Sequence, residues 1–157
     1  MSDYAIELLA GHDRSTFVSD APSLDRYFQQ QVTQDVRRRI AACFVAVATT
    51  DAKVAGFYTL SATSLILDQL SPERARKLPR YPVVPAILLG RLAIDVSHQG
   101  RGLGGALVVD ALMRAARSEV VGHVMVVDAL DEAAARFYQH LGFERLADDP
   151  YRLIRAI

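Results

Sequence analysis

Apolar residues along the chain alternate between stretches that fit strands and stretches that fit helices. Residues 4–10, Tyr-Ala-Ile-Glu-Leu-Leu-Ala, read as a first strand, closed by Gly11-His12-Asp13. Leu24, Tyr27, Phe28, Val32 and Val36 then recur three and four apart, which predicts a helix with Ser23 as its N-cap. Gln29-Gln30-Gln31 carries no apolar signal, so this segment is one helix or two; it ends in Arg37-Arg38-Arg39. Ala41 to Ala48 is a β-type run, Thr49 to Ala52 a turn, and Lys53 to Ala62 a second strand, together an antiparallel hairpin. Ser64 to Leu70 either extends that strand or forms an irregular crossover. Ser71 as N-cap and Pro72 at the first helical position begin a short helix that stops near Pro79.

Tyr81 to Pro85 is extended, because its prolines exclude a helix. Ala86 to Val96 reads as a long central strand. It runs into Ser97-His98-Gln99-Gly100-Arg101-Gly102-Leu103-Gly104-Gly105-Ala106-Leu107, after which a helix continues to about Arg117. On that helix Asp110, Arg114 and Arg117 share one face, and Val108, Val109, Leu112, Met113 and Ala116 are expected to pack on the sheet. Gly122 to Val127 is another strand. Asp131 caps a helix that Gly142 ends, and Phe143–Leu146 and Tyr151–Ile154 are short strands around Asp148-Asp149-Pro150. Neither a repeat nor a low-complexity linker interrupts the order, so residues 1–157 read as one α/β (α+β) domain.

Composition narrows the classes. With 51% hydrophobic and 23% charged residues the chain reads as globular. Its net charge of +0 means that any nucleic-acid contact has to come from a local patch. Cys43 is the single cysteine, which excludes a disulfide within one chain and a cysteine-based zinc site. It is expected to be a small buried residue. The start lacks the basic and apolar regions of a secretory signal, and no apolar stretch is long enough to span a membrane. A reduced, cytoplasmic setting fits, and no metal is expected.

The glycine-rich stretch carries the most chemistry. N–H groups at a helix N-terminus lack intrahelical partners and sit at the positive end of the helix dipole, and glycines let a phosphate come close. Gly100-Arg101-Gly102-Leu103-Gly104-Gly105 matches G-x-G-x-x-G literally. A dinucleotide site would also need an acid about 20 residues on, within a βαβ unit. Position 120 is Val, position 125 is Met, and the nearest acids are Glu119 and Asp128. The preceding strands read as antiparallel, which argues against a dinucleotide. A Walker A loop is excluded because no Gly-Lys-Ser/Thr occurs. A plain turn would hold four glycines at a large entropic cost.

Gln99-Gly100-Arg101-Gly102-Leu103-Gly104 also resembles the Q/R-x-x-G-x-G/A motif of the GCN5-related N-acetyltransferase (GNAT) family. Asp131, Ala134 and Phe137-Tyr138-Gln139-His140-Leu141-Gly142-Phe143 resemble that family's closing motif, and the element order matches over nearly the whole chain. The resemblance implies a central, mixed, mostly antiparallel sheet of six to seven strands, splayed at the cofactor cleft and flanked by about four helices. It narrows further. Ser23–Phe28, Gln34–Arg39, Gly56–Ala62, Leu89–Asp95 and Val127–Asp131 look like phrases of the acetyltransferase toxins of bacterial toxin–antitoxin pairs. That subfamily acetylates the α-amino group of aminoacyl-tRNA, blocks translation, is neutralised by a ribbon-helix-helix antitoxin and is commonly dimeric. Asp131 departs from the Asn often found there, but Asp caps a helix equally well.

By this resemblance the donor is acetyl-CoA. Leu92, Ala93 and Ile94 would pair with its pantetheine arm, Gln99, Gly100, Arg101, Gly102, Leu103, Gly104 and Gly105 would hold its pyrophosphate, and Asp131 would also bind the cofactor. Tyr138 would be the general acid toward the departing sulfur. A phenol is protonated at neutral pH and can donate. No base stands out among His12, His98, His123 and His140. That suits an α-amino acceptor, which titrates near 8 rather than near 10.4 as lysine does. Arg37, Arg38, Arg39, Arg74, Arg76, Lys77, Arg80 and Arg91 are the candidate phosphate contacts for tRNA. The alternatives are N-acetylation of a small amine or a protein N-terminus, and a non-catalytic CoA-binding module.

Overall fold

The structure, a computed structural model, describes residues 3–157. In chain order it runs β1 (Tyr4–Leu8), α1 (Pro22–Arg26), a π-helical turn (Tyr27–Gln31), α2 (Val32–Arg37), β2 (Ala42–Ala48), β3 (Val54–Ile66), α3 (Pro72–Arg76), β4 (Val83–Ile94), α4 (Leu103–Arg117), β5 (Val124–Asp128), α5 (Glu132–His140), β6 (Glu144–Arg145) and β7 (Arg152–Ala156). The strands form one seven-stranded sheet in the order β1-β2-β3-β4-β5-β7-β6. It is mixed, with β4 and β5 parallel and the β1–β2, β2–β3, β5–β7 and β6–β7 pairs antiparallel. By compactness the chain divides into two units, residues 1–61 with 90–111, and residues 62–89 with 112–157.

In the first unit the expected hairpin is present. β2 pairs with β3 from Ala42↔Leu60 to Val47↔Val54, with a register shift between Ala46 and Val47. The first strand is shorter than its apolar run and stops at Leu8. The helix after it begins two residues early: Pro22 takes the first position, Ala21 is the N-cap, and Ser23 caps nothing. Proline sets that start, since its fixed φ and missing N–H suit the first helical position. Asp25 instead accepts from the Ser19 backbone N–H and hydroxyl. The question of one helix or two resolves as a continuous helical run, α1 to α2, widened in the middle by the π-turn.

That turn has a packing reason. Phe28 stacks on Phe57 with centroids 4.1 Å apart and planes 6° from parallel, and Phe17 meets both rings edge-on. These rings join Tyr27, Val32, Cys43, Val45, Val54 and Ala93 in one buried cluster. Arg14 spans the turn, donating to the Phe28 carbonyl (2.6 Å) and the Thr33 hydroxyl (2.9 Å), while Gln29 donates to the Phe17 carbonyl. Cys43 is fully buried, and burial pushes its thiol up to about 12, so it serves as a small apolar side chain.

In the second unit β4 and β5 run parallel from Ala86↔Val124 to Leu89↔Val127, and β7 pairs with both β5 and β6. Leu65, Leu70, Val84, Ala86, Val124, Val126, Leu146 and Ile154 form its core. Ser71 caps α3 by accepting from Arg74 N–H, and Pro72 sits in the first turn, as expected. Asp131 caps α5 by accepting from Ala134 N–H at 2.8 Å. Gly142 follows that helix at φ +90, the left-handed conformation expected just past a helix end. Two bidentate ion pairs brace this end of the chain, Arg145 with Glu132 and Arg152 with Asp128.

On α4 the expected packing face holds at Val108 and in part at Leu112, which is half-buried, and is corrected elsewhere. Leu103, Leu107, Val108, Ala111 and Ala115 are the buried positions, whereas Val109 is 50% and Met113 45% exposed. The buried stripe starts at Leu103 because the helix starts there, inside the glycine motif rather than after it. Ala116 is also exposed.

Candidate active site

The glycine loop is held from behind. At the end of β4, Asp95 N–H donates to the Ala55 carbonyl and Val96 N–H to the Val18 carbonyl, both at 2.8 Å. The Asp95 carboxylate accepts from Val18 N–H, Ser97 N–H and the Ser97 hydroxyl. Burial works to raise its pKa, but these hydrogen bonds outweigh it and hold the carboxyl below its ordinary value. His98 Nδ1 lies 2.7 Å from the Tyr4 hydroxyl, and the Gln99 side-chain amide donates to the Ile94 carbonyl at 3.1 Å. Gln99 thus ties the loop to the strand with its side chain.

Ahead of this anchor the loop is open. Gly100 and Gly102 sit at φ +77 and +76, and a Cβ at either would meet nothing within 4 Å. Among the described residues, no hydrogen bond uses the N–H of Gly100, Arg101, Gly102, Leu103, Gly104 or Gly105. Leu103, Gly104 and Gly105 are the first three residues of α4, whose N–H groups have no acceptor within the helix. Two left-handed glycines followed by a helix N-terminus make a cradle of unpaired donors at a positive dipole end. That arrangement fits a pyrophosphate.

The strand before the loop also has a free stretch. The pairing of β4 with β5 ends at Leu89↔Val127, yet β4 continues through Ile94. Gly90 to Ile94 therefore run on without a β5 partner, as expected of a splayed sheet. Ala93 packs in the core with Phe28 and Phe57, while the Ile94 side chain reaches toward Gly56 on the opposite face. These contacts fix the strand's orientation. Leu92, Ala93 and Ile94 can offer main-chain groups to an extended ligand, a mode that depends little on side chains.

Tyr138 lies on α5, seven residues beyond the cap Asp131. Its ring is buried at 8% exposure between Phe137 and Phe143, with centroids 5.1 and 5.5 Å away. Burial pushes its hydroxyl up to about 12, so it is neutral at physiological pH. It has no hydrogen-bond partner among the described residues, and no buried side-chain oxygen is left without one. The ring is therefore enclosed while the oxygen still meets solvent. An apolar collar around an uncommitted phenol is suited to donating one hydrogen bond. The carboxylate of Asp131, by contrast, is already used as a helix cap.

The expected RNA-contacting side chains have unlike surroundings. Arg37, Arg38 and Arg39 are exposed where α2 ends, and Arg39 is left-handed at φ 58. Arg74 pairs with Glu144 at 3.5 Å, and Arg76 donates to the Pro72 carbonyl of its own helix. Lys77 and Arg80 are exposed. Arg91 alone of this set sits over an aromatic ring, its guanidinium carbon 3.7 Å from the Tyr27 centroid. Ser23, Arg26, Gln30 and Gln31 surround that pair. These neighbours were not legible as site residues, because Tyr27 scores as one more apolar helix position.

A phosphate cradle at a helix N-terminus, next to a strand stretch open on one edge for main-chain pairing, is suited to a coenzyme A thioester. The chain belongs to the acetyltransferase (GNAT) domain family, which it matches over residues 41–145. It is 38% identical over 144 residues to a tRNA-acetylating toxin of Mycobacterium tuberculosis (strain ATCC 25618 / H37Rv), covering 90% of this chain and 84% of that one. It is also similar to the solved structure of AtaT complexed with acetyl-methionyl-tRNAfMet, at a TM-score of 0.89 and 31% identity over 98% of this chain and 95% of that one. A third similarity is to a tyrosine-to-phenylalanine mutant of the AtaT toxin bound to the C-terminus of the antitoxin AtaR and acetyl-CoA. That match has a TM-score of 0.80 and 28% identity over 99% of this chain and 94% of the other.

Proposed function

We propose that the protein is an acetyl-CoA-dependent N-acetyltransferase that modifies the α-amino group of aminoacyl-tRNA and so acts as a translation-blocking toxin. The observation that carries the donor half is the row of unpaired N–H groups from Gly100 to Gly105, shortly after the stretch of β4 that has no β5 partner. Bound acetyl-CoA supplies an acetyl thioester. Leu92, Ala93 and Ile94 align its pantetheine arm through main-chain pairing, and the loop amides with Arg101 hold its pyrophosphate. The family match spans residues from both compact units, which supports their acting as one acetyltransferase domain.

As the amine attacks, an N–C bond forms and the C–S bond breaks. The amine's proton leaves to solvent, and negative charge develops on sulfur. The Tyr138 hydroxyl donates a hydrogen bond there. With its pKa pushed up to about 12, it is a weaker acid than a thiol, which titrates near 8.5. Its contribution is therefore stabilisation of the developing charge, with net protonation completed from solvent. An α-amine whose pKa is about 8 needs no strong base, which fits a site built around a phenol alone.

The relatives support the acceptor and partners. The Mycobacterium tuberculosis relative is called tRNA-acetylating, and the AtaT structures hold acetylated tRNA or an antitoxin. An antitoxin partner and a homodimer are part of this reading. So is a cytoplasmic place of work, where charged tRNA is found. Among the described residues no helix is long and apolar enough to cross a membrane, and no group of three or more His, Cys, Asp or Glu side chains could hold a metal. The acceptor is tested with labelled acetyl-CoA offered to charged tRNA, deacylated tRNA, free amino acids and a peptide with a free N-terminus. Label is expected on the aminoacyl group of charged tRNA. Equal labelling of a free amino acid or of the peptide would replace this reading with a small-amine or N-terminal acetyltransferase.

A further inference from the structure

The Tyr27–Arg91 pair belongs to an open depression of about 450 Å³ in the first unit, walled by Ser23, Arg26, Gln30 and Gln31. Four features set it apart from ordinary surface. First, the Arg91 guanidinium is held over the Tyr27 ring at 3.7 Å, close enough for a strong cation–π contact. Second, Tyr27 is itself fixed: its ring is 8% exposed, and its hydroxyl donates to Asp35 at 2.8 Å. Third, Arg91 is half-buried, and among the described residues no carboxylate or carbonyl accepts from it. A planar fork of five donors is thus oriented in advance and left unused. Fourth, beside Leu24 the lining offers a second guanidinium, the Gln30 amide, the Gln31 amide oxygen and a hydroxyl; the Asp35 carboxylate next to it accepts from the Tyr27 hydroxyl and the Gln31 amide nitrogen.

The sequence explains the geometry. In β4, Leu89, Arg91 and Ala93 share one face. Leu89 and Ala93 are buried there, and Ala93 packs with Phe28. Arg91 is the polar member of an otherwise apolar face, and the π-turn carries Tyr27 over to meet it. Arg14 braces that turn from the other side. A wide turn in the middle of a helical run, tied down by an internal arginine, is a frequent feature of functional sites.

We propose that this depression receives one nucleotide of the single-stranded end of the acceptor RNA, with the phosphodiester bidentate on Arg91 and Gln30 and Gln31 meeting the base edge. The ligand chemistry follows from the lining: an anion is favoured by two guanidinium groups, and hydrogen-bonding edges by the amides. Stacking on aromatic or guanidinium planes is how proteins hold unpaired bases. The site begins one residue before Leu92, the start of the main-chain edge assigned to the donor. An RNA end held on Arg91 therefore lies along the same strand as the donor. This subsite rests on the aminoacyl-tRNA reading above.

The test is binding of charged and deacylated tRNA to the full chain and to Arg91→Gln and Arg91→Lys, across a salt series, with acetyl-CoA affinity measured alongside as the control for folding. Arg91→Gln is expected to weaken tRNA binding at least tenfold. It is also expected to flatten the slope of log affinity against log salt by about 0.7, the share of one single-strand phosphate. Arg91→Lys is expected to weaken binding by a similar factor with the slope kept, because it retains charge but not the planar fork. Wild-type affinity in Arg91→Lys would reduce Arg91 to a point charge and overturn the subsite, as would wild-type affinity in both variants. Wild-type protein that binds no tRNA would instead remove the RNA reading itself, and the subsite with it.

Discussion

Tyr138 holds its phenolic proton because of where its ring lies. Burial pushes the hydroxyl up to about 12, and the donating form is the protonated one. Acetylation is therefore expected to rise with pH as the acceptor amine loses its proton, with no alkaline decline below pH 10. A falling limb centred near pH 8 or 9 would show that a different group is the donor. The same shift has a stability consequence. A pKa raised above its unfolded value near 10 leaves stability intact below pH 10 and erodes it as pH rises through about 12. Alkaline denaturation in that window should be steeper for the native protein than for Tyr138→Phe. Gly102 is the second single-residue test. At φ +76 with open space around its Cβ position, Gly102→Ala leaves the fold standing but strains the loop. The strain is about 1–2 kcal/mol. Acetyl-CoA affinity, read by calorimetry, should fall by about five- to thirtyfold.

The elements show which parts of the site local chemistry can specify. Asp131 was legible because an N-cap acts on its own backbone, three residues on. Replacing it by Ala is expected to cost about 1 kcal/mol in denaturant unfolding. The face of α4 was not legible. Val109 and Met113 are as apolar as Leu107 and Ala111, and only the start at Leu103 decides which set turns inward. Ser23 misled for a related reason: Pro22 is an equally good start signal one residue earlier, and the backbone took it. The π-turn left no local mark, since its cause is the distant stack of Phe28 on Phe57. Phe28→Ala is expected to cost about 3–5 kcal/mol of stability. It should also loosen the Tyr27–Arg91 pair, which a loss of tRNA affinity in the folded fraction would report.

At the scale of the whole molecule, the glycine cradle belongs to one compact unit and the phenol to the other, and the sheet is the mixed, seven-stranded one that the family resemblance implied. A phosphate cradle was readable from residues because backbone amides at a helix start act alike in any sequence, whereas acetyl-CoA as the donor came with the family resemblance. Acceptor chemistry was readable only as a scatter of arginines, of which the fold commits Arg74 to Glu144 and orients Arg91 on Tyr27. In the proposed reaction the buried phenol acts on a donor held by the Gln99–Gly105 loop during transfer to aminoacyl-tRNA. This is tested most directly by comparing kcat/KM for acetylation of charged tRNA between the native protein and Tyr138→Phe, with the acetyl-CoA Kd of each measured in parallel. The prediction is a fall of about 10²–10³-fold in kcat/KM with the Kd unchanged. A Tyr138→Phe protein that transfers acetyl groups at the native rate would contradict it.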